Sequence, residues 1–176
     1  MNRKAMPADD HGQPRTPASG SLFRLLGELG IETRTVEHPA VFTVAEAKAA
    51  LGDIPGAHCK NLFLSDRKRR VWLIVMREDS PLDLTSLAET LGAARLSFAR
   101  PAALMERLGV VPGAVSPLAV LNDAAGAVTV VVQRALLTEE TLNFHPLDNR
   151  LTTAIAPRDL MRFLEATAHV PLILDL

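Results

Sequence analysis

The chain of 176 residues is 48% hydrophobic and 22% charged, and its 19 basic and 20 acidic residues leave a formal net charge of −1. These values predict one globular domain and exclude a uniformly basic nucleic-acid-binding protein, although a local basic patch is compatible with them. The single cysteine, Cys59, excludes an internal disulfide and a cysteine cluster for zinc or iron–sulfur. No segment reaches the ~20 apolar residues of a membrane-spanning helix, so we expect no membrane partner.

In chain order, residues 1–20 are predicted to form a flexible N-terminal extension, because prolines, glycines and mixed charges leave them almost nothing to bury. Residues 21–176 are predicted to form one domain. Apolar residues at helical spacing, with glycine or proline at the ends, predict helices over 21–29, 44–51, 84–91, 101–108 and from Pro157 onward. Short apolar or β-branched runs predict strands over 33–36, 59–64, 71–76, 96–99, 118–121, 128–133, 141–144 and 151–155.

The order of these elements indicates the fold class. Several strands follow one another as hairpins, including 59–64 with 71–76 and 118–121 with 128–133, and the helices interrupt them irregularly. A regular βαβ repeat would instead alternate one strand with one helix. We therefore predict an α/β (α+β) fold with a central mixed, largely antiparallel sheet that is flanked by helices.

Motifs for several common activities are absent from the sequence. It contains neither a G-x-x-x-x-G-K phosphate loop nor a G-x-G-x-x-G turn, and it has no H-E-x-x-H pair of zinc ligands. His58 and Cys59 are neighbours on a predicted strand, so their side chains point to opposite faces and cannot readily bind one ion. The segment 113–117 has proline where the nucleophile elbow of a serine hydrolase has glycine. The sequence therefore predicts no metal, no organic cofactor and no serine nucleophile.

Three features remain as candidates for chemistry. Lys60 lies in an otherwise apolar strand, where a charge is costly to bury. Gly113 and Pro117 enclose a short segment in which glycine permits close approach of the backbone to a ligand and proline stiffens the loop. His145 directly precedes Pro146. Each feature alone is also compatible with a structural role, as an exposed strand end, a tight connection or a core histidine.

The three features belong to an ordered set of motifs that extends over residues 22–170. The motifs are residues 38–43 before a predicted helix, 59–64 on a strand, the G-x-x-x-P segment 113–117, and Phe144-His145-Pro146 followed by Asn149, Thr152 and Thr153. Each motif is weak alone, but the ordered set is specific. It resembles the YbaK/prolyl-tRNA-editing family, in particular its free-standing members that deacylate mischarged tRNA for proline.

This resemblance implies a single α/β editing domain that hydrolyses the ester between a wrong amino acid and the terminal ribose of tRNA(Pro), by attack of an activated water. By position, Lys60 matches the strand lysine that the family requires for catalysis. The resemblance places five further residues at the substrate: Asn61, Gly113, Ser116, Pro117 and His145. The implied partners are the acceptor end of mischarged tRNA(Pro) and prolyl-tRNA synthetase, and a role in translation implies a cytoplasmic protein.

Physical principles favour the same chemistry. Ester hydrolysis builds negative charge on the carbonyl oxygen, which backbone N–H groups near Gly113 can stabilise. We expect Lys60 to position a phosphate or the terminal nucleotide, since two unit charges ~4 Å apart attract by roughly 4 kcal/mol at an effective dielectric of ~20. A synthetase pocket sized for proline excludes a smaller amino acid poorly, because each missing methylene provides only ~1–3 kcal/mol. We therefore expect Ala-tRNA(Pro) as the substrate, with Cys-tRNA(Pro) as the alternative.

Two other functions stay open at this point. A binding module without catalysis would bind an aminoacylated end or a small ligand without ester loss. A general small-ester hydrolase would act on aminoacyl esters that lack tRNA. The basic hairpin turn 67–70 either contacts tRNA phosphates or forms a solvated tip, and the six Phe, one Trp and absent Tyr argue against a base-stacking platform for single strands.

Overall fold

The structure of the chain is a computed structural model, and it describes residues 19–39 and 54–176. The helices are α1 Gly20–Glu28, α2 Leu84–Thr90, α3 Pro101–Leu108 and α4 Pro157–Ala166, with two 3-10 helices at Pro117–Asn122 and Arg134–Thr138. The strands are β1 Arg34–Glu37, β2 Ala57–Ser65, β3 Val71–Arg77, β4 Ser97–Phe98, β5 Val128–Gln133, β6 Leu142–Phe144, β7 Leu151–Ile155 and β8 Leu172–Leu174. Residues 1–18 of the predicted extension and the whole predicted helix 44–51 lie outside the described residues.

β3 is a central strand of the sheet, and the residues from Val71 to Met76 are apolar and buried without interruption. A strand that is covered on both faces has such a continuous apolar run. β3 pairs with β2 antiparallel through seven residue pairs and with β5 in parallel. The strand order is β1-β7-β6-β2-β3-β5-β8, with β4 also paired to β2. The sequence does not predict β8, which joins the sheet beside β5.

The sheet is mixed and has helices on both faces. Four of the described pairings are antiparallel (β1–β7, β2–β3, β2–β4 and β6–β7), and three are parallel (β2–β6, β3–β5 and β5–β8). On one face α1, α3 and α4 pack with Leu73 and Val75, and on the other face α2 packs with Trp72 and Ile74. The predicted fold class is therefore confirmed. No helix within residues 19–39 and 54–176 is long and apolar enough to cross a membrane.

The predicted strand 118–121 is wrong, because these residues belong to the 3-10 helix Pro117–Asn122. Pro117 fixes the backbone φ at the start of the helix. The Ser116 hydroxyl accepts a hydrogen bond from the Leu118 N–H at 3.2 Å and caps the helix. The predicted hairpin with β5 therefore does not form, and β5 pairs with β3 and β8 instead.

Candidate functional site

The candidate site is centred on a gap in the strand pairing of β2. On the edge away from β3, β2 pairs with β6 at Ala57 and His58 and with β4 at Leu64 and Ser65. Residues 59–62 lie between these two pairings and have no strand partner on this edge among the described strands. Lys60 and Asn61 are at the centre of the gap, so the sheet leaves space beside them for another group.

Lys60 and Asn61 are neighbours on a strand, and their side chains point to opposite faces of the sheet. Lys60 pairs with Met76 and shares the α2 face, where its ammonium donates a hydrogen bond to the carbonyl oxygen of Ser80. An ammonium has three N–H donors, and within the described residues two of them stay free. Lys60 therefore retains the capacity to bind an anionic or carbonyl oxygen of a ligand.

Asn61 connects β2 to the segment 113–117 across the other face. Its Nδ2 donates a hydrogen bond to the carbonyl oxygen of Val115 at 3.0 Å. Its Oδ1 is buried and accepts no hydrogen bond within the described residues. Because a buried amide oxygen without a donor is costly, Asn61 both fixes the segment and offers an acceptor to a bound molecule.

The segment 113–117 is fixed at both of its ends. Gly113 has φ +92°, a left-handed conformation that strongly favours glycine. The Ala114 N–H donates to the carbonyl oxygen of Val111 at 3.0 Å, while Ser116 is fully buried and caps the following 3-10 helix. The N–H groups of Gly113 and Val115 meet no acceptor within the described residues. The segment therefore offers backbone N–H donors to a ligand, whereas the Ser116 hydroxyl is used to cap the 3-10 helix.

His145 follows β6 and is held in one tautomer. Its Nδ1 donates a hydrogen bond to the carbonyl oxygen of Leu151 at 2.7 Å. Burial lowers the pKa of His145, and the nearby His38 ring lowers it further against the opposing effect of the Leu151 carbonyl. The imidazole is therefore neutral near pH 7, with Nε2 as a hydrogen-bond acceptor.

Extending the register of β2 and β6 by two residues places Lys60, inside β2, beside His145, which directly follows β6. β2 and β6 are parallel, and His58 pairs with Asn143. Lys60 and His145 each come two residues later in the same direction. Of the predicted site residues, Asn61 and the segment 113–117 are joined directly, and the extended register brings Lys60 and His145 to the opening left by the gap beside β2. Binding of one substrate by all of them stays a prediction.

Three further polar residues lie close to His145 in space or in the chain: His38 and Thr152, which belong to the motifs already named, and Asn143 on β6. The His38 ring centroid is 5.9 Å from that of His145, and its Nε2 lies 3.0 Å from the Thr152 hydroxyl. Asn143 donates from Nδ2 to the carbonyl oxygen of Pro55 at 3.1 Å, and its Oδ1 is buried without a partner within the described residues. Asn143 and Thr152 also line a cavity of about 670 Å³. The sequence signal for His38 and Thr152 was their place inside the motifs at 38–43 and 144–153, and Asn143 directly precedes the second of these motifs.

Cys59, also on β2, is not a nucleophile at neutral pH. Burial raises the pKa of its thiol to about 12, so the reactive thiolate is absent. Cys59 packs against the larger core, on the face opposite to Lys60. Within residues 19–39 and 54–176, no three His, Cys, Asp or Glu side chains form a group that could hold a metal ion.

Comparison with known proteins gives matches over most of the chain. Residues 38–163 match the family model of the aminoacyl-tRNA editing domain. The chain is 44% identical over 156 residues to prolyl-tRNA synthetase associated domain-containing protein 1 of Danio rerio, covering 88% of this chain and 85% of that protein. It is 34% identical over 153 residues to prolyl-tRNA editing protein ProX of Acetoanaerobium sticklandii, covering 86% and 93% respectively. A crystal structure of a candidate trans-editing enzyme for prolyl-tRNA synthetase shares the fold, with a TM-score of 0.70 and 21% identity over 92% of this chain and 98% of that one.

Proposed function

Because the chain belongs to the aminoacyl-tRNA editing domain family, as its resemblance to the YbaK/prolyl-tRNA-editing family predicts, we propose that it hydrolyses the aminoacyl ester of mischarged tRNA(Pro). The observation that carries the proposal is the gap in β2, where Asn61 joins the segment 113–117 at 3.0 Å and Lys60 keeps two N–H donors without an acceptor among the described residues. This arrangement provides backbone N–H groups and a cation without a nucleophilic side chain. Water is the proposed nucleophile.

The backbone of the segment 113–117 is proposed to stabilise the transition state. Attack of water on the ester places negative charge on the carbonyl oxygen, and the free N–H groups of Gly113 and Val115 are donors of the type that stabilise it. Preorganised donors are effective because they need no rearrangement during the reaction. Asn61 keeps this segment in place, and Pro117 and the Ser116 cap fix its far end.

Lys60 and His145 are proposed to orient the substrate from the two sides of the opening. The Lys60 ammonium attracts a phosphate or the terminal ribose of the tRNA, as a point charge with free N–H donors. The neutral His145 has an acceptor at Nε2, which suits the ammonium group of an amino acid. Orientation of this kind matters because a misplacement of ~1 Å can reduce the rate about 100-fold.

The preferred substrate is proposed to be Ala-tRNA(Pro), with Cys-tRNA(Pro) as the alternative. Alanine is smaller than proline, so a synthetase pocket for proline admits it, and a missing methylene provides only ~1–3 kcal/mol of discrimination. The printed names of two relatives, a prolyl-tRNA synthetase associated domain-containing protein and a prolyl-tRNA editing protein, support this choice of tRNA. The first of these names also supports prolyl-tRNA synthetase as a partner, and the proposed role in translation implies that the protein acts in the cytoplasm.

Deacylation of Ala-, Cys- and Pro-tRNA(Pro) by the wild-type chain and the Lys60→Ala variant tests the proposal. We expect rapid loss of alanine, slower loss of cysteine and a stable Pro-tRNA(Pro), and Lys60→Ala should lower the alanine rate about 100-fold or more. Arg24→Ala, which removes an exposed cation on α1, is the matched control and should retain the full rate.

Three outcomes contradict the proposal. Tight binding of Ala-tRNA(Pro) without ester loss would indicate a binding module. Equal hydrolysis of alanine esters that lack tRNA would indicate a general esterase. A wild-type rate in Lys60→Ala would show that this ammonium does not orient the substrate.

A further inference from the structure

The cations of the described residues are distributed unevenly. Most arginines pair with a carboxylate: Arg70, Arg77, Arg107, Arg134, Arg150, Arg158 and Arg162. Seven exposed cations form no ion pair within the described residues, and five of them fall in two short stretches, 67–69 and 95–100: Arg67, Lys68, Arg69, Arg95 and Arg100. We call these five residues, together with Phe98, the basic edge. Their concentration in one region is not visible in a net charge of −1.

The basic edge is brought together by the pairing of β2 with β4. Leu64 pairs with Phe98 and Ser65 with Ser97, so β4 runs beside the strand that leads into the hairpin turn. Arg67 from the turn and Arg95 from the segment before β4 line one groove of about 490 Å³ with Phe98. Two unpaired guanidinium groups and an aromatic ring therefore share one concave surface.

Hydrogen bonds to Asp66 fix the backbone of the hairpin turn that carries three of the cations. The fully buried Asp66 carboxylate accepts hydrogen bonds from the N–H groups of Lys68 and Arg70 at 2.8 and 3.0 Å, and from the Arg70 guanidinium at 2.8 Å. Arg70 also donates to the Gly92 carbonyl and lies 5.2 Å from the centre of the Trp72 ring. Asp66 also lines the groove, and its pairing with Arg70 reduces the repulsion between its carboxylate and an anion bound by Arg67.

Phe98 is the second indication of a ligand. Its side chain is 65% exposed, and β4 pairs only with β2 among the described strands. An aromatic face beside arginines is the combination that binds nucleic acid, because a base stacks on the ring and phosphates contact the cations. One ring does not form the extended platform that the sequence argues against, but it is sufficient for a single stacked base.

The basic edge lies on the same sheet face as Lys60. Side chains alternate along a strand, so Lys60, Leu62 and Leu64 share a face, and Phe98 is the partner of Leu64. Lys60 and Leu64 are four residues apart, or about 13 Å at ~3.3 Å per residue. A stacked strand that advances ~3.4 Å per nucleotide covers this distance with about four nucleotides.

We propose that the basic edge binds the RNA segment next to the aminoacylated nucleotide, with its phosphates on Arg67 and Arg95 and one base stacked on Phe98. The proposal rests on the proposed function, since it takes tRNA as the bound molecule. A protein partner that bound only to β4 would not need five cations without carboxylate partners around it, whereas the phosphates of RNA would bind them. The unpaired positive charge therefore favours RNA over a protein as the partner.

The binding of uncharged tRNA(Pro) to the full chain at several salt concentrations tests this surface independently of hydrolysis. The variant R67A/R95A should bind more weakly, and its salt slope (log K against log salt) should fall by about 1.5, the value for two lost phosphate contacts. Phe98→Leu should weaken binding about 10-fold with the slope unchanged, because the apolar surface remains but stacking is lost. Arg24→Ala removes another exposed arginine that forms no ion pair within the described residues, and it should change neither quantity.

Two results would overturn the proposal. The first is an unchanged affinity and salt slope in R67A/R95A, with the fold verified by its thermal unfolding. The second is loss of binding to prolyl-tRNA synthetase in these variants with full tRNA affinity, which would assign the surface to a protein. Failure of the wild type to deacylate Ala-tRNA(Pro) would contradict the proposed function alone, since the binding of uncharged tRNA does not depend on hydrolysis.

Discussion

His145 makes the stability of the folded chain depend on pH, because its buried imidazole is neutral near pH 7. Burial keeps the pKa of His145 below its ordinary value of 6.5, so the unfolded chain takes up a proton before the folded chain does. Stability is therefore complete above about pH 6.5 and decreases as the pH falls below it, by at most ~1.4 kcal/mol per pH unit for this group.

We expect His145→Gln to reduce this dependence between pH 6.5 and 5. Urea unfolding of the wild type and the variant at pH 7.5, 6.0 and 5.0 measures it. The difference in unfolding free energy between the two proteins should become smaller as the pH falls. A constant difference across these pH values would show that His145 titrates normally in the folded chain.

Cys59 is expected to be unreactive in the folded protein. Its pKa of about 12 leaves almost no thiolate at pH 8, and the thiolate is the species that attacks thiol reagents. Labelling with a chromogenic disulfide reagent at pH 8 should be at least 100-fold slower in buffer than in denaturant. Equal rates would show that the thiol is accessible and ionised in the native state.

At the scale of elements, a buried pair joins the end of α4 to the turn before β5. His169 Nε2 lies 3.1 Å from Asp123 Oδ2, and the two side chains are 2% and 3% exposed. Asp123 Oδ2 also accepts the Val128 N–H at 2.7 Å, while His169 Nδ1 donates to the Thr167 carbonyl at 2.6 Å. The contact between His169 and Asp123 joins the two elements, and the two local hydrogen bonds hold each side chain in place, so the pair fixes their relative position.

Removing one partner of this pair should strongly destabilise the fold. We expect Asp123→Ala to lower the free energy of unfolding by about 3–5 kcal/mol, because it leaves the imidazole and the Val128 N–H buried without an acceptor. Asp175→Ala breaks the exposed Arg134–Asp175 pair and is the control, for which little change is expected. Urea unfolding compares them, and equal losses would contradict the structural role of Asp123.

The elements that the sequence misassigned are short and apolar. Residues 118–121 are a buried apolar run of four, and periodicity cannot distinguish such a strand from a helical turn. The deciding contacts are local, since Ser116 caps the segment and Pro117 starts it. β8 has three residues and forms only because β5 offers it an edge, which is a contact that no local pattern contains. Longer elements with clear caps, such as α3 from Pro101 to Gly109, follow the prediction.

The sequence nominated residues for the candidate site but could not predict the contacts between them. Lys60 and Asn61 are polar residues within an apolar strand, and their motif made them candidates. The hydrogen bond from Asn61 to Val115 joins residues 54 positions apart, and that between His38 and Thr152 joins residues 114 positions apart. Such contacts depend on strand pairing across the sheet, so His38 and Asn143 could not be assigned to the site from spacing alone.

At the scale of the whole molecule, a near-neutral chain separates its charges into distinct regions. Acidic side chains are largely used in ion pairs or helix caps, such as Asp83 at the start of α2 and Asp148 beside Arg150. The cations of the basic edge, in contrast, have no carboxylate partner within the described residues. A protein with such a distribution is expected to bind RNA locally and with a modest salt dependence.

The alternation of side chains along β2 makes the site sensitive to alignment. The ammonium of Lys60 and the amide of Asn61 occupy successive positions but face opposite sides of the sheet, and seven residue pairs with β3 hold them there. If the pairing before residue 58 were kept, deleting His58 would shift the following residues of β2 by one position in the register. The side chains of Lys60 and Asn61 would then each point to the opposite face of the sheet. Such a deletion would abolish the arrangement while every functional side chain remained in the chain.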